Sequence, residues 1–228
     1  GNWNVIDKEI SLLQLKKCQG VLCRDSDSEK FLKDHLNCSF VADAAFIWPA
    51  STNKSPSFLA PRERFFSQEL PEKYLLLTGT SIAPQDLDTA KTSYTALLKS
   101  LQESYPVVVL PLCDGDMFLE EIAVENGADF VSPDSKIHEL ISVISGAELF
   151  VTGRYHPAIA AIQANVPIIM LSGNSHKMQA LANDFTNIKK VFNGIPSSSE
   201  ILEISELVTT GKYKKFKYNI PEKSVILD

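Results

Sequence analysis

The chain has 228 residues, 44% of them hydrophobic, and 22 basic against 28 acidic side chains give a formal charge of −6; the mean hydropathy is near zero. This is the composition of an ordinary globular protein, long enough for one large or two modest domains with a substantial core, and its acidic balance argues against nucleic-acid binding while leaving room for a local basic site. Cys18, Cys23, Cys38 and Cys113 form no CxxC pair and no zinc-type spacing, no apolar run approaches the roughly 20 residues of a membrane span, and the first residues lack a secretory signal, so the expectation is a cytoplasmic protein with reduced thiols.

In chain order, an apolar run at 20–23 predicts a strand. Asp25 and Ser26 are helix-capping residues before an amphipathic segment at 29–36, where Phe31, Leu32 and Leu36 share a face. A second strand is predicted at 40–42, ending at Asp43. Residues 49–71 carry Pro49, Pro56 and Pro61 among serines and mixed charges without periodicity, which predicts a crossover, part of it packed through Phe58, Phe65 and Phe66.

From residue 74 the alternation becomes regular. Strands are predicted at 74–77, 107–110, 129–131, 149–151, 168–171 and 190–192. Helices are predicted at 84–104, 117–125, 136–145, 157–165, 176–185 and 199–209, the first with Leu87, Tyr94, Leu97, Leu98 and Leu101 inward. Alternation of this kind implies an α/β fold, a Rossmann-like, doubly wound parallel sheet covered on both faces. The basic, aromatic stretch KYKKFK at 212–217 reads as a solvated tail.

In such a sheet, ligands sit outside the carboxyl ends of strands. Arg154 and His156 fall at one such end. A guanidinium can grip a carboxylate or phosphate with two hydrogen bonds, and an imidazole can move a proton near neutral pH. The other reading is a structural ion pair for Arg154 and a helix-capping His156, and the residues alone leave both open. After the next strand, Asn174 and Ser175 are small polar residues at a helix start, with Ser175 the expected N-cap and Lys177 an added point charge. His176 reads as a solvated turn residue. Thr80 and Ser81 form a similar hydroxyl-rich strand end, although no P-loop occurs. Asp114 and Asp116 of CDGD read as helix caps or sugar contacts, and a metal site from them lacks His or Glu partners. Arg24 ends the early strand and either meets a ligand or braces the turn with Asp25. His35 and His138 fall on helices, and Cys23 lacks an evident base.

The order of CRDSDS (23–28), FVADAAF (40–46), PLCDGD (111–116), SGAELFVTGRYHPAIAAIQANVPIIML (145–171) and NSHKMQAL (174–181) resembles the polysaccharide pyruvyl transferase family. The C-terminal half of that family resembles one lobe of the two-lobed GT-B glycosyltransferases. The resemblance spans most of 18–185, and its specific part is the Arg-x-His turn with the small-residue helix behind it. It implies catalytic roles for His156 and Arg154 and substrate binding by Lys177 and Arg24; Thr80, Ser81, Ser175 and Asn174 are expected to bind substrate from their places at strand ends and at a helix start. It implies a phosphoenolpyruvate donor and a glycan or lipid-linked sugar acceptor; no cofactor or metal is expected, and charge and run length already argue against a nucleic-acid partner and a membrane span. The expected divisions are the end of an N-terminal lobe at 1–55, a linker at 56–72, a donor-binding domain at 73–210 and a tail at 211–228. Family members open on a fuller N-terminal lobe with an Asn-x-Gly-Asp-like turn. Nothing of that kind precedes Trp3, which implies either a piece of a longer chain or a shortened relative. A nucleotide-sugar glycosyltransferase or epimerase lobe, and a non-catalytic carbohydrate-binding module on a degenerate transferase fold, are the competing readings.

Overall fold

The computed structural model describes residues 5–47, 70–131 and 136–221. The predicted crossover, with Phe58, Phe65 and Phe66, lies outside the described residues except for its last positions.

The chain opens with a helix that the pattern did not announce, α1 (Val5–Leu15), and continues through β1 (Val21–Cys23), α2 (Ser26–Lys33) and β2 (Cys38–Phe40). The two strands pair in parallel. Asp25 caps α2 by accepting from the Ser28 amide, so the helix starts three residues before the amphipathic run.

The main sheet contains β3 (Leu75–Thr80), β4 (Val107–Val109), β5 (Asp129–Phe130), β6 (Leu149–Gly153) and β7 (Ile168–Met170). Every pairing is parallel and the order is β5-β4-β3-β6-β7. The chain winds outward from β3 to β5, returns beside β3 as β6, and winds out the other way. The switch point lies between β3 and β6, where such sheets form a crevice at their carboxyl ends.

Helices α3 (Leu87–Gln102), α4 (Phe118–Glu125), α5 (Ile137–Gly146), α6 (Tyr155–Gln163), α7 (Lys177–Phe185) and α8 (Ser198–Thr209) cover both faces. Alternate strand residues serve opposite cores. Leu75, Leu77 and Val151 pack with α3, α4 and α8, whereas Leu76, Phe150 and Met170 pack with α5, α6 and α7. Burial on both faces is the reason these strands read as continuous apolar runs.

Several boundaries differ from the sequence expectation for local reasons. Pro84 lies in a 3-10 turn (Ala83–Gln85), and α3 begins only after Asp86, whose side chain accepts from the Thr89 amide. Helix α6 begins at Tyr155 and not at residue 157, which puts His156 in its first turn; Pro157 is tolerated there because first-turn amides have no helical acceptor. The strand expected at 190–192 reduces to a bridge between Leu171 and Phe192.

The tail at 212–217 is not simply solvated. Tyr213 is 1% exposed and belongs to the core. The Tyr218 hydroxyl accepts from the Ile168 amide at 2.9 Å and donates to the Val166 carbonyl at 2.9 Å. The aromatic side chains anchor the segment while the lysines remain exposed.

Gly79 is dictated by close approach. A Cβ there would stand 2.1 Å from Asp116 Oδ1, so Gly79→Ala is expected to cost about 1–3 kcal/mol of overpacking, measured by urea denaturation. A second expectation concerns the capping box of α8. Glu200 accepts from the amides of Asn193 and Ser197; burial works against its charge, but these hydrogen bonds prevail and lower its pKa from 4.5 to about 2. A depressed carboxylate stabilises the fold above its unfolded pKa and loses that contribution as pH falls through the folded one. Glu200→Gln is therefore expected to lower the melting temperature at pH 7 and to flatten its fall between pH 4.5 and 2.

Candidate functional site

The carboxyl ends of β3, β6 and β7 converge with the loop after β4. At the end of β6 the Thr152 hydroxyl accepts from the Arg154 amide at 3.0 Å, which fixes the turn before α6. Arg154 extends towards Asp116, its Nε 3.1 Å from Oδ2 and its Nη2 2.6 Å from Oδ1. Nη2 also lies 3.4 Å from the Thr80 carbonyl. The Asp116 side chain is 0% exposed and that of Arg154 is 19% exposed. Burial disfavours the guanidinium charge, but hydrogen bonding and attraction to Asp116 outweigh it, and the Arg154 pKa rises above its ordinary value. Arg154 is a fixed cation. The Nε–Nη2 edge of its guanidinium is engaged by Asp116, which corrects the expectation that Asp116 caps a helix or meets a sugar.

A cavity of about 420 Å³ opens beside this pair. Seven of the eight sequence-predicted residues line it: Arg24, Ser81, Arg154, His156, Asn174, Ser175 and Lys177. Thr80 does not. It ends β3 fully buried, with its hydroxyl donating to the Gly194 carbonyl at 3.1 Å. Successive strand side chains point to opposite faces, so Ser81 is left to serve the crevice. The Ser81 hydroxyl accepts from the Asn174 amide at 2.9 Å and joins the end of β3 to the loop after β7.

That loop differs from the expectation in two details. The N-cap of α7 is His176, without a side-chain capping bond, and Ser175 lies in the cavity wall. His176 is not merely solvated: its Nε2 lies 3.3 Å from Asp25 Oδ1. Burial opposes the Asp25 charge, but hydrogen bonds from Ser28 and the proximity of His176 lower its pKa overall. Lys177 is exposed at the start of α7, and it makes no ion pair among the described residues.

Arg24 pairs with Asp43, not Asp25. Its Nη1 is 3.1 Å from Asp43 Oδ2, and its guanidinium lies 4.9 Å from the centre of the Tyr155 ring. His156 is 66% exposed at its side chain, with Nε2 3.9 Å from the same Asp43 oxygen. Its ring meets Tyr155 edge-on at 5.4 Å. Asp43 and Tyr155 were missed in the sequence; Asp43 stood in view as the end of the second strand, but nothing local named its partners. Among the described residues no group of three or more His, Cys, Asp or Glu side chains is placed to hold a metal ion.

This geometry, two neutralised arginines with a histidine and a lysine around one crevice, can receive a compact anion and move a proton beside it. A polysaccharide pyruvyl transferase family model matches residues 3–175, most of the chain. The chain belongs to the polysaccharide pyruvyl transferase family. The match includes Arg24, Asp43, Asp116, Arg154 and His156 and ends at Ser175, two residues before Lys177.

A comparison of this family member with curated proteins finds no match. Among solved structures it is similar to the UDP-GlcNAc 2-epimerase from Methanocaldococcus jannaschii, with a TM-score of 0.50 and 15% identity, covering 69% of this chain and 44% of that one. That likeness shows the fold, a mostly parallel sheet with flanking helices. Weaker likenesses are to WaaG, a glycosyltransferase involved in lipopolysaccharide biosynthesis (TM-score 0.48, 14% identity, 92% of this chain and 60% of that one), and to the C-terminal domain of the glycosyl transferase group 1 family protein LpcC from Francisella tularensis (TM-score 0.48, 13% identity, 76% and 91%). The chain thus spans less than two thirds of WaaG and of the epimerase.

Removing one partner of a buried ion pair strands the other charge. Asp116→Ala and Arg154→Ala are each expected to lower folding stability by about 3–5 kcal/mol, and the double variant by less than the sum, as read from urea midpoints.

Proposed function

We propose that the cavity is the donor site of a glycan-modifying transferase, which moves pyruvate from phosphoenolpyruvate to two hydroxyls of a sugar as a ketal and releases phosphate. The observation that carries this reading is the gathering of Arg24, Arg154, His156 and Lys177 around one cavity of about 420 Å³, within the ~300–1,000 Å³ range of small-molecule sites.

In this mechanism the donor's carboxylate lies against Arg24 and Arg154, and its phosphate lies by Lys177 and the first amides of α7, where the helix end favours negative charge. Protonated His156 delivers its proton to the methylene carbon. The electron pair of the carbon–carbon double bond forms the new C–H bond, and the central carbon becomes electron-poor. One sugar hydroxyl adds to that carbon and loses its proton to the imidazole. Phosphate departs with the C–O bonding pair, and the second hydroxyl adds to close the ketal, its proton passing to the departing phosphate. Fixed cations and amides stabilise the charges that develop, without reorganising at the moment of reaction. The acceptor is a glycan or a lipid-linked sugar, approaching from the open side on which His156 is exposed.

Two measurements test this. Phosphoenolpyruvate at 100 times its dissociation constant is expected to stabilise the protein by about 2.7 kcal/mol, seen as a raised melting temperature. A shift with nucleotide sugars and none with phosphoenolpyruvate would instead support the glycosyltransferase or epimerase reading. His156→Ala is expected to abolish ketal formation and phosphate release at unchanged melting temperature, since its side chain is mostly solvated; retained turnover would remove His156 from the mechanism.

A further inference from the structure

Among the described residues Asp43 is the one carboxylate that faces two of the proposed donor-binding groups. It follows β2 in the N-terminal strand pair, and its side chain is only 11% exposed. Its Oδ1 accepts from the Ala45 amide at 2.9 Å, so the carboxylate is held by its own backbone. Its Oδ2 receives Arg24 Nη1 at 3.1 Å and lies 3.9 Å from His156 Nε2. Arg24 comes from the end of β1, and His156 from the first turn of α6 in the main sheet. A single oxygen therefore joins the two parts of the molecule between two residues that line the cavity.

The ring of Tyr155 completes this arrangement. It lies beside both the Arg24 guanidinium and the His156 imidazole. Burial, then the negative charge of Asp43, raises the Tyr155 pKa to about 12, so the ring remains a neutral wall. Arg24 is thereby held between a carboxylate and an aromatic face, and His156, itself largely exposed, stands beside the same two groups. Catalytic hydrogen bonds are often long in an unliganded site and tighten when the substrate is bound, and 3.9 Å is a distance that a small rotation of an exposed imidazole closes.

We propose that Asp43 is a positioning residue that holds Arg24 and His156 in a fixed mutual arrangement, so that the anion bound by the arginine presents its reacting carbon to the imidazole. The proposal rests on the donor-site reading of Arg24 and His156. Asp43 acts through them and touches neither donor nor acceptor. Its removal lets Arg24 swing and leaves the imidazolium without a facing anion, two effects that act on different kinetic constants. Loss of Arg24 orientation raises KM for phosphoenolpyruvate, and loss of His156 orientation lowers kcat.

The test compares Asp43→Asn and Asp43→Glu with the parent protein, following phosphate release from phosphoenolpyruvate at temperatures where all three are folded. Asn is expected to lower kcat about tenfold or more, part of the 10²–10⁴ that a positioned acid supplies, and to raise KM. Glu is expected to recover part of both. A reduced melting temperature with unchanged kcat and KM would overturn the proposal and leave Asp43 a structural residue. A second readout, the ring nuclear magnetic resonance signals of the four histidines, does not depend on turnover. Asp43→Asn is expected to move the signals of His156 and to leave those of His35, His138 and His176 in place. If the parent protein turns over no phosphoenolpyruvate, the donor reading fails, and the His156 signals still decide whether Asp43 holds that ring; unmoved signals overturn it.

Discussion

The ion pair between Arg154 and Asp116 is the constraint on which the crevice depends. Taking both charges from water is costly, and their attraction repays the cost only when the geometry is good. Here both guanidinium nitrogens facing Asp116 have an oxygen, and the Leu112 amide adds a donor to Oδ2. The surroundings are shaped to permit it. Gly79 leaves room for the carboxylate, and the absence of a Cβ at Gly153 lets β6 lie against the Thr80 methyl, which a Cβ would approach to 2.1 Å. The pair thus ties the loop after β4 to the end of β6 across β3. Its contribution is better described as register and position than as net stability, because a buried pair gives little over an apolar replacement while a half pair is strongly destabilising.

A second set of contacts brings the N-terminal strand pair over this frame. The amide and hydroxyl of Ser26 donate to Asp184 of α7 at 2.9 and 2.5 Å. Asp25 faces His176 at the other end of α7, and Phe46 packs on Phe185 with ring centres 4.7 Å apart. These contacts set Arg24 into a cavity otherwise built by the main sheet. The electrostatics of the lining then follow. Arg24 and Arg154 each have a protein carboxylate as partner, and Lys177 has no ion pair among the described residues. The positive surplus offered to an incoming anion therefore comes chiefly from Lys177 and from His156 when protonated, with the arginines supplying oriented donors.

Much of the candidate site was legible because it sits at strand ends. A buried apolar run followed by polar residues marks the carboxyl end of a strand, and an α/β alternation says that such ends share one edge of the sheet. Arg154, His156, Ser81, Asn174, Ser175 and Lys177 were found in that way, and the cavity contains them all. Thr80 was misjudged because a strand end offers two adjacent hydroxyls to opposite faces, and only the register shows which face the crevice occupies. Asp116 was misjudged because an aspartate in a turn before a helix looks like a cap, and its burial against Arg154 comes from packing between distant segments. The lysine-rich tail looked solvated because two aromatic rings among four lysines show no periodicity, and only packing between distant segments puts Tyr213 in the core.

The alternation of strands and helices, the apolar content that buries the sheet on both faces, the residues at the strand ends and the family can all be read from the order of amino acids. Those are local or compositional properties, and each is written within a few neighbouring residues. Tertiary structure alone decided which carboxylate meets which cation: Asp116 with Arg154, Asp43 with Arg24 and beside His156, Asp25 with His176. Ion pairing depends on the distance between side chains from separate elements and on the water excluded between them, and neither is a property of any one stretch of the chain.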